Sequence, residues 1–138
     1  MRKIAVMLLV TAILMSALVP VSAAESTIEP RYINTNQAKV VMGITSDGVA
    51  KVNVSCIGNS NATRIQTVTY IERLVGSSWV RVSNGMTGNQ WTESVNARYL
   101  IRDYSCQLYV AGIYRAVTQF TVSGTVSETF TLYQEATY

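Results

Sequence analysis

From residue 38 onward, polar and apolar residues alternate singly along much of the chain. Lys51-Val52-Asn53-Val54-Ser55-Cys56 places Val52, Val54 and Cys56 on one face, as a strand with one buried side requires. Residues 104–110 do the same with Tyr104, Cys106, Leu108 and Val110. Runs at 38–45 and 49–57 flank Ser46-Asp47-Gly48, a hairpin signal because glycine adopts positive φ without penalty. A long run at 65–74 turns through Gly76-Ser77-Ser78 into 79–82, and a polar loop rich in Gly and Asn is predicted over 83–92. A weaker strand is expected at 94–101, and a closing hairpin joins 117–122 to 125–133 through Ser123-Gly124. Beyond the first two dozen residues, no apolar stripe at i, i+3, i+4 persists for three helical turns. About eight short strands separated by turn signals predict an all-β chain folded as a single antiparallel β-sandwich.

The beginning of the chain follows a different rule. Arg2 and Lys3 precede an apolar run of about 15 residues, Pro20 ends it, and Val21-Ser22-Ala23-Ala24 offers the small residues of a cleavage site. A membrane-spanning helix needs roughly 20 apolar residues, so residues 1–24 read as a secretory signal peptide. The expected organisation is a leader at 1–24, an N-terminal extended arm at 25–37 and a β-sandwich domain at 38–138. No membrane span is expected after cleavage. With no lipobox cysteine and no wall-sorting tail, the expected location is secreted, in the extracellular medium.

Composition narrows the chemistry. Of 138 residues, 49% are hydrophobic and only 14% charged, and there is no histidine. Its absence removes the commonest general base, the histidine-dependent catalytic triads and most transition-metal sites. Without Arg2 and Lys3, nine basic residues face eight acidic ones, and the nine are scattered singly, unlike the clusters that neutralise adjacent phosphates. Nucleic acid is therefore not an expected partner. Metal ligands and cofactors are not expected either, since no Asp-x-Asp spacing occurs.

Cys56 and Cys106 are the only cysteines. In an oxidising compartment an isolated pair most simply forms one disulfide. It would close a loop of about 50 residues and contribute roughly 4 kcal/mol on the chain-entropy estimate. Because each cysteine falls on the apolar face of its strand, the expected bond lies between two packed sheets. A redox pair would normally sit closer in sequence, as C-x-x-C.

Tyr104-Ser105-Cys106 resembles the Tyr-x-Cys of immunoglobulin-type domains, which implies an Ig-like or fibronectin-like sandwich. The core tryptophan of those domains follows the first cysteine by about a dozen residues, whereas Trp79 follows Cys56 by 23. A broader resemblance rests on Cys56-x-Gly58, Ala62-Thr63-x-Ile65, Ile71-Glu72 and Trp79-x-x-Val82, with Tyr104, Ser127-Glu128-Thr129 and the terminal Thr137-Tyr138. These are similar to small secreted β-proteins of clostridia and related Gram-positive bacteria, although Arg102-Asp103-Tyr104 stands where that group has a Lys-Gly-x-Tyr turn. The group has no known activity, so the resemblance implies an exported bacterial β-domain and no more.

Catalysis has little to stand on. A glycosidase needs two carboxylates about 5–10 Å apart in a cleft; Glu72 and Glu128 could lie on neighbouring strands, but nothing in the sequence marks them as converging. Their simpler role is as solvent-facing cross-strand charges, with Arg73 or Arg115 as the partner of Glu72. Aromatic residues make better binding candidates, because Tyr and Trp give contact area at low entropic cost. Trp91, in the predicted polar loop, and Tyr109, opposite the core face of its strand, are the candidates. Tyr114 joins them if the chain bulges at Gly112, and is core if it does not. Trp79 is expected in the core. The expected function is a non-catalytic binding or interaction module, not an enzyme, recognising an extracellular protein or glycan. The alternative is a small secreted effector such as a bacteriocin-like toxin or a hydrolase inhibitor.

Overall fold

The structure, a computed structural model, describes residues 32–138. The predicted leader (1–24) and most of the predicted arm (25–37) lie outside these residues.

Eight strands follow one another: β1 (Thr35–Ile44), β2 (Val49–Gly58), β3 (Arg64–Val75), β4 (Ser78–Arg81), β5 (Trp91–Val95), β6 (Tyr99–Gln107), β7 (Ile113–Ser123) and β8 (Glu128–Thr137). Among the described residues the only helical segment is a single 3-10 turn at Thr87–Asn89. All pairings are antiparallel, and the strands form two sheets. One has the order β1-β2-β6; the other has the order β4-β3-β7-β8, with β5 on the edge of β3 that β4 leaves uncovered.

Alternation in the sequence decides which face is buried. Val52, Val54 and Cys56 from β2, Leu100 and Cys106 from β6, and Ile65 and Ile71 from β3 all point inward. They meet Ala116, Phe120 and Val122 of β7, where Phe120 stacks on Phe130 of β8 with ring centroids 5.2 Å apart. Polar positions on the inner faces differ: the Thr67 hydroxyl of β3 is buried without a partner among the described residues, whereas its neighbour in phase finds one across the ladder. Thr69 and Thr118, opposite each other on β3 and β7, share a hydroxyl hydrogen bond of 2.9 Å while fully buried. Such a bond removes the penalty of an orphaned hydroxyl in the core.

The turn after β1 is fixed by Gly48. Its φ is +83°, and an added Cβ would lie 2.7 Å from the Leu108 carbonyl oxygen and from the Tyr138 ring. Only glycine fits there, and the turn is thereby pinned to the far end of β6, where the Leu108 N–H donates to the Gly48 carbonyl at 2.8 Å.

The two sheets approach edge to edge where β1 runs alongside β8 in the same direction. At one end of this seam the Glu128 carboxylate accepts from the Ile33 and Asn34 N–H groups and from the Thr35 hydroxyl. Further along, Gln134 Oε1 accepts from the Met42 N–H at 2.9 Å. On the opposite side, Arg102 of β6 meets Glu93 of β5 at 3.3 Å, and Trp91 stacks on Tyr104 with centroids 4.8 Å apart and planes 9° from parallel.

The expected disulfide is corrected by the register. Cys56 lies opposite Leu100 and Cys106 opposite Ala50, so both cysteines belong to neighbouring strands of one sheet, six positions apart along the ladder. At about 3.4 Å per residue they are separated by roughly 20 Å, far beyond the ~7 Å that a disulfide spans between Cα atoms. Both are free thiols, buried as their phase predicts. The alternation located their faces correctly and said nothing about which strands are neighbours.

Candidate functional site

A concavity with a volume of about 570 Å³ opens at the end of the sandwich where β3 and β6 finish and β7 begins. Its floor is built by the inner-face pattern. Leu108 and Tyr114 are each 2% exposed, and Cys106 stands beside them. The Tyr114 hydroxyl donates to the Val110 carbonyl, which holds the short connection between β6 and β7 in place. Gln107 Nε2 donates to the carbonyls of Asp47 (2.8 Å) and Leu108 (3.0 Å), tying the rim to the β1–β2 turn.

The loop after β4 forms the other wall. It starts from a backbone bond in which Val82 N–H donates to the Ile71 carbonyl at 2.9 Å. Cys106 Sγ–H donates to the Ser83 carbonyl at 3.5 Å, joining floor to wall. Burial pushes the Cys106 thiol above its ordinary range, which keeps it as neutral S–H and not as a thiolate nucleophile. Asn84 makes a local turn, its Oδ1 accepting the Met86 N–H at 3.0 Å, while its Nδ2 is buried with no acceptor.

Arg73 also lines the cleft. It occupies the next inward-facing position on β3 after Ile71, and its aliphatic stem lies over Gly112, where an added Cβ would sit 3.7 Å from Arg73 Cδ. No carboxylate lines the cleft. Glu72, predicted to pair with Arg73 or Arg115, lies on the outer face and is held by Arg115, directly opposite it on β7, through both Nε and Nη2 at 2.6 Å. Glu128 is occupied with the backbone of residues 33 and 34, and Asp103 accepts from Asn53 Nδ2 at 2.8 Å. Glu72 and Glu128 sit on β3 and β8, separated by β7, so they do not converge. Among the described residues, no three His, Cys, Asp or Glu side chains gather as metal ligands would. No helix among them is long and apolar enough to cross a membrane.

The aromatic candidates separate. Tyr109 is 87% exposed at the cleft rim, but in the connection between β6 and β7 and not on a strand: β6 ends at Gln107, and Val110, expected on the core face with Leu108, is 51% exposed. Tyr114, the second residue of β7, lines the same cleft from below as part of the floor, and its ring is core. Trp91 is not in a loop. It is the first residue of β5, turned inward onto Tyr104 and only 9% exposed, so it presents no face to a ligand. The expected stripe of Trp91, Tyr109 and Tyr114 on one surface does not form. Trp79 is the reverse case. Expected in the core, it lies half-buried beneath the Arg115 guanidinium, whose carbon is 4.2 Å from the ring centroid.

Sequence reasoning missed Arg73 and Asn84. Arg73 stands in the inward phase of a predicted strand, an unusual place for a cation, and that phase was the available signal. Asn84 gave none, because loop composition does not say which side chain turns inward.

No known family model matches the chain, and no curated protein or solved structure is detectably similar to it.

Proposed function

We propose that this chain is an exported, non-catalytic binding module that takes an extracellular ligand, a protein or glycan, in the cleft at the end of its sandwich. The observation that carries this reading is the cleft itself. An almost fully exposed tyrosine, Tyr109, stands over a buried and hydrogen-bonded floor in a volume suited to a small ligand or chain end. The cleft lining offers neither the paired carboxylates of glycoside hydrolysis nor a histidine to activate a nucleophile. Export is inferred from the leader pattern of residues 1–24, and kinship with the small secreted proteins of Gram-positive bacteria from the motifs between Cys56 and Tyr138. We assign the sandwich to the Ig-like or fibronectin-like kind because its first, second and sixth strands make one sheet while the third, fourth, seventh and eighth belong to the other.

The test is retention of the purified protein on cell walls and on culture-supernatant proteins, with a Tyr109→Ala variant alongside. Retention that is lost in the variant supports a recognition module using the cleft. Equal retention of both forms places the binding surface elsewhere, and no retention by either form overturns the reading.

A further inference from the structure

The cleft is unbalanced in its hydrogen-bonding groups. Its acceptors are largely engaged within the protein: the Ser83 carbonyl by Cys106, the Val110 carbonyl by Tyr114, the Leu108 carbonyl by Gln107, and Asn84 Oδ1 by the Met86 N–H. Its donors are not. Arg73 is half-buried, and its guanidinium makes no ion pair and no hydrogen bond among the described residues. A guanidinium always carries its charge and offers five N–H groups in a planar fork. Asn84 Nδ2 adds a second donor, buried with nothing to receive it. Of the other arginines among the described residues, Arg102 and Arg115 are ion-paired, Arg64 and Arg81 donate to Ser94 and Gln90, and Arg98, which has neither kind of partner, is on the surface, whereas Arg73 is half-buried in the cleft. The apolar part of the lining that a ligand can reach is Val82, Val110 and the Tyr109 ring.

We propose that the cleft selects an organic carboxylate with an apolar body, the carboxylate docking on Arg73 and the body lying against the exposed side chains of Tyr109 and Val110. This rests on the reading of the cleft as a binding site and names the chemistry it accepts. A carboxylate is the group that matches a guanidinium in two parallel hydrogen bonds. It brings acceptors only, so it meets the surplus donors without orphaning a donor of its own. Among the described residues, no acidic side chain stands in the lining to repel it. Asn84 lines the same cleft, and an acceptor that reached its amide would satisfy a donor that has no partner among the described residues.

The test titrates the purified protein with N-acetylphenylalanine, its neutral amide N-acetylphenylalaninamide, and phenyl phosphate, followed by calorimetry and by the amide resonances of residues around the cleft. The acid should bind and shift the resonances of Arg73, Asn84 and Tyr109. Its neutral amide should bind roughly tenfold or more weakly, the usual effect of losing a charge-assisted hydrogen bond. Arg73→Gln should reduce acid binding to the level of the amide, and Arg73→Lys, which keeps the charge and loses the fork, should fall between. Tyr109→Ala should weaken acid and amide by the same factor. Equal binding of acid and amide, unaffected by Arg73→Gln, overturns the carboxylate while leaving the cleft a binding site. Binding of phenyl phosphate in preference to the acid, or of no probe at all, overturns the carboxylate as well. The cleft reading falls separately, if Tyr109→Ala leaves retention on cell walls and supernatant proteins unchanged or if neither form is retained.

Discussion

Replacing Trp91 by alanine distinguishes a core role from a binding role, because the two predict opposite outcomes. The indole is 9% exposed and lies flat against Tyr104, 4.8 Å away, between an edge of each sheet. Truncating a buried aromatic to alanine typically costs about 3–5 kcal/mol through lost transfer energy and the cavity left behind. Loss of an aromatic pair adds about 0.5–1.5 kcal/mol. A domain of this size is stable by roughly 5–15 kcal/mol, so the variant should lose about a quarter or more of its stability. At about 4–8 °C per kcal/mol for a domain near 100 residues, the melting temperature should fall by ~12 °C or more. Trp91→Phe keeps a ring over Tyr104 and should lose far less. Urea unfolding followed by circular dichroism gives the free energy. Tryptophan emission gives an independent check, since only Trp79 remains in these variants and its half-buried ring should emit further to the red than Trp91. A Trp91→Ala protein that unfolds at the wild-type urea midpoint yet loses ligand would refute the core assignment and restore Trp91 as a contact residue.

Three further outcomes follow from the geometry. Thiol titration of the denatured, unreduced protein should find two free thiols, because the strand register holds Cys56 and Cys106 too far apart to bond; none would mean that the β2–β6 pairing is wrong. Stability should decline above about pH 9: burial chiefly, with Glu128 next, pushes the Cys56 thiol up to about 11 against a hydrogen bond from Thr35. The raised value means the folded state favours the neutral thiol, so its contribution is intact below the unfolded pKa near 9 and is lost as pH rises through about 11. The loss from this group is roughly 2–3 kcal/mol, and urea midpoints of Cys56→Ala at pH 7 and 11 should differ less than those of the wild type. Glu128→Ala should cost about 1–3 kcal/mol and speed hydrogen exchange at Asn34, since one carboxylate anchors two amides and a hydroxyl there; unchanged exchange would show that the anchor is idle.

Alternation carried most of the fold. The β1–β2 hairpin, the long β3 run, the β7–β8 hairpin and the burial of both cysteines were legible because a half-buried strand must repeat every two residues. What failed was non-local. Whether the strand holding Cys106 pairs with the strand holding Cys56 or faces it across the core depends on the path of the chain between them, which no window of sequence contains. The same limit hid the role of Trp91, since β5 is five residues long and its inward positions are Trp91, Glu93 and Val95, a pattern too short and too polar to stand out beside a Gly- and Asn-rich loop. Trp79 misled in the other direction: β4 has four residues, and an arginine from β7 covers its indole on the outer face. In the cleft, Tyr109 is exposed because the chain leaves β6 at Gln107, two residues before it, an end the alternation does not mark. Arg73 enters the sequence reading only as one of two possible partners of Glu72, and Glu72 pairs with the other, Arg115.

The seam between β1 and β8 has a consequence for how copies of this protein behave when crowded. An unpaired strand edge is a template on which another chain can lay a strand, and such additions repeat into fibrils. Here the Met42 N–H is already taken by the Gln134 amide, reaching over from the other sheet. An incoming strand would have to displace that side chain before it could pair. Gln134 thus works as a gatekeeper, and Gln134→Ala should leave each molecule folded while raising its tendency to assemble edge to edge, which light scattering of the two forms would read.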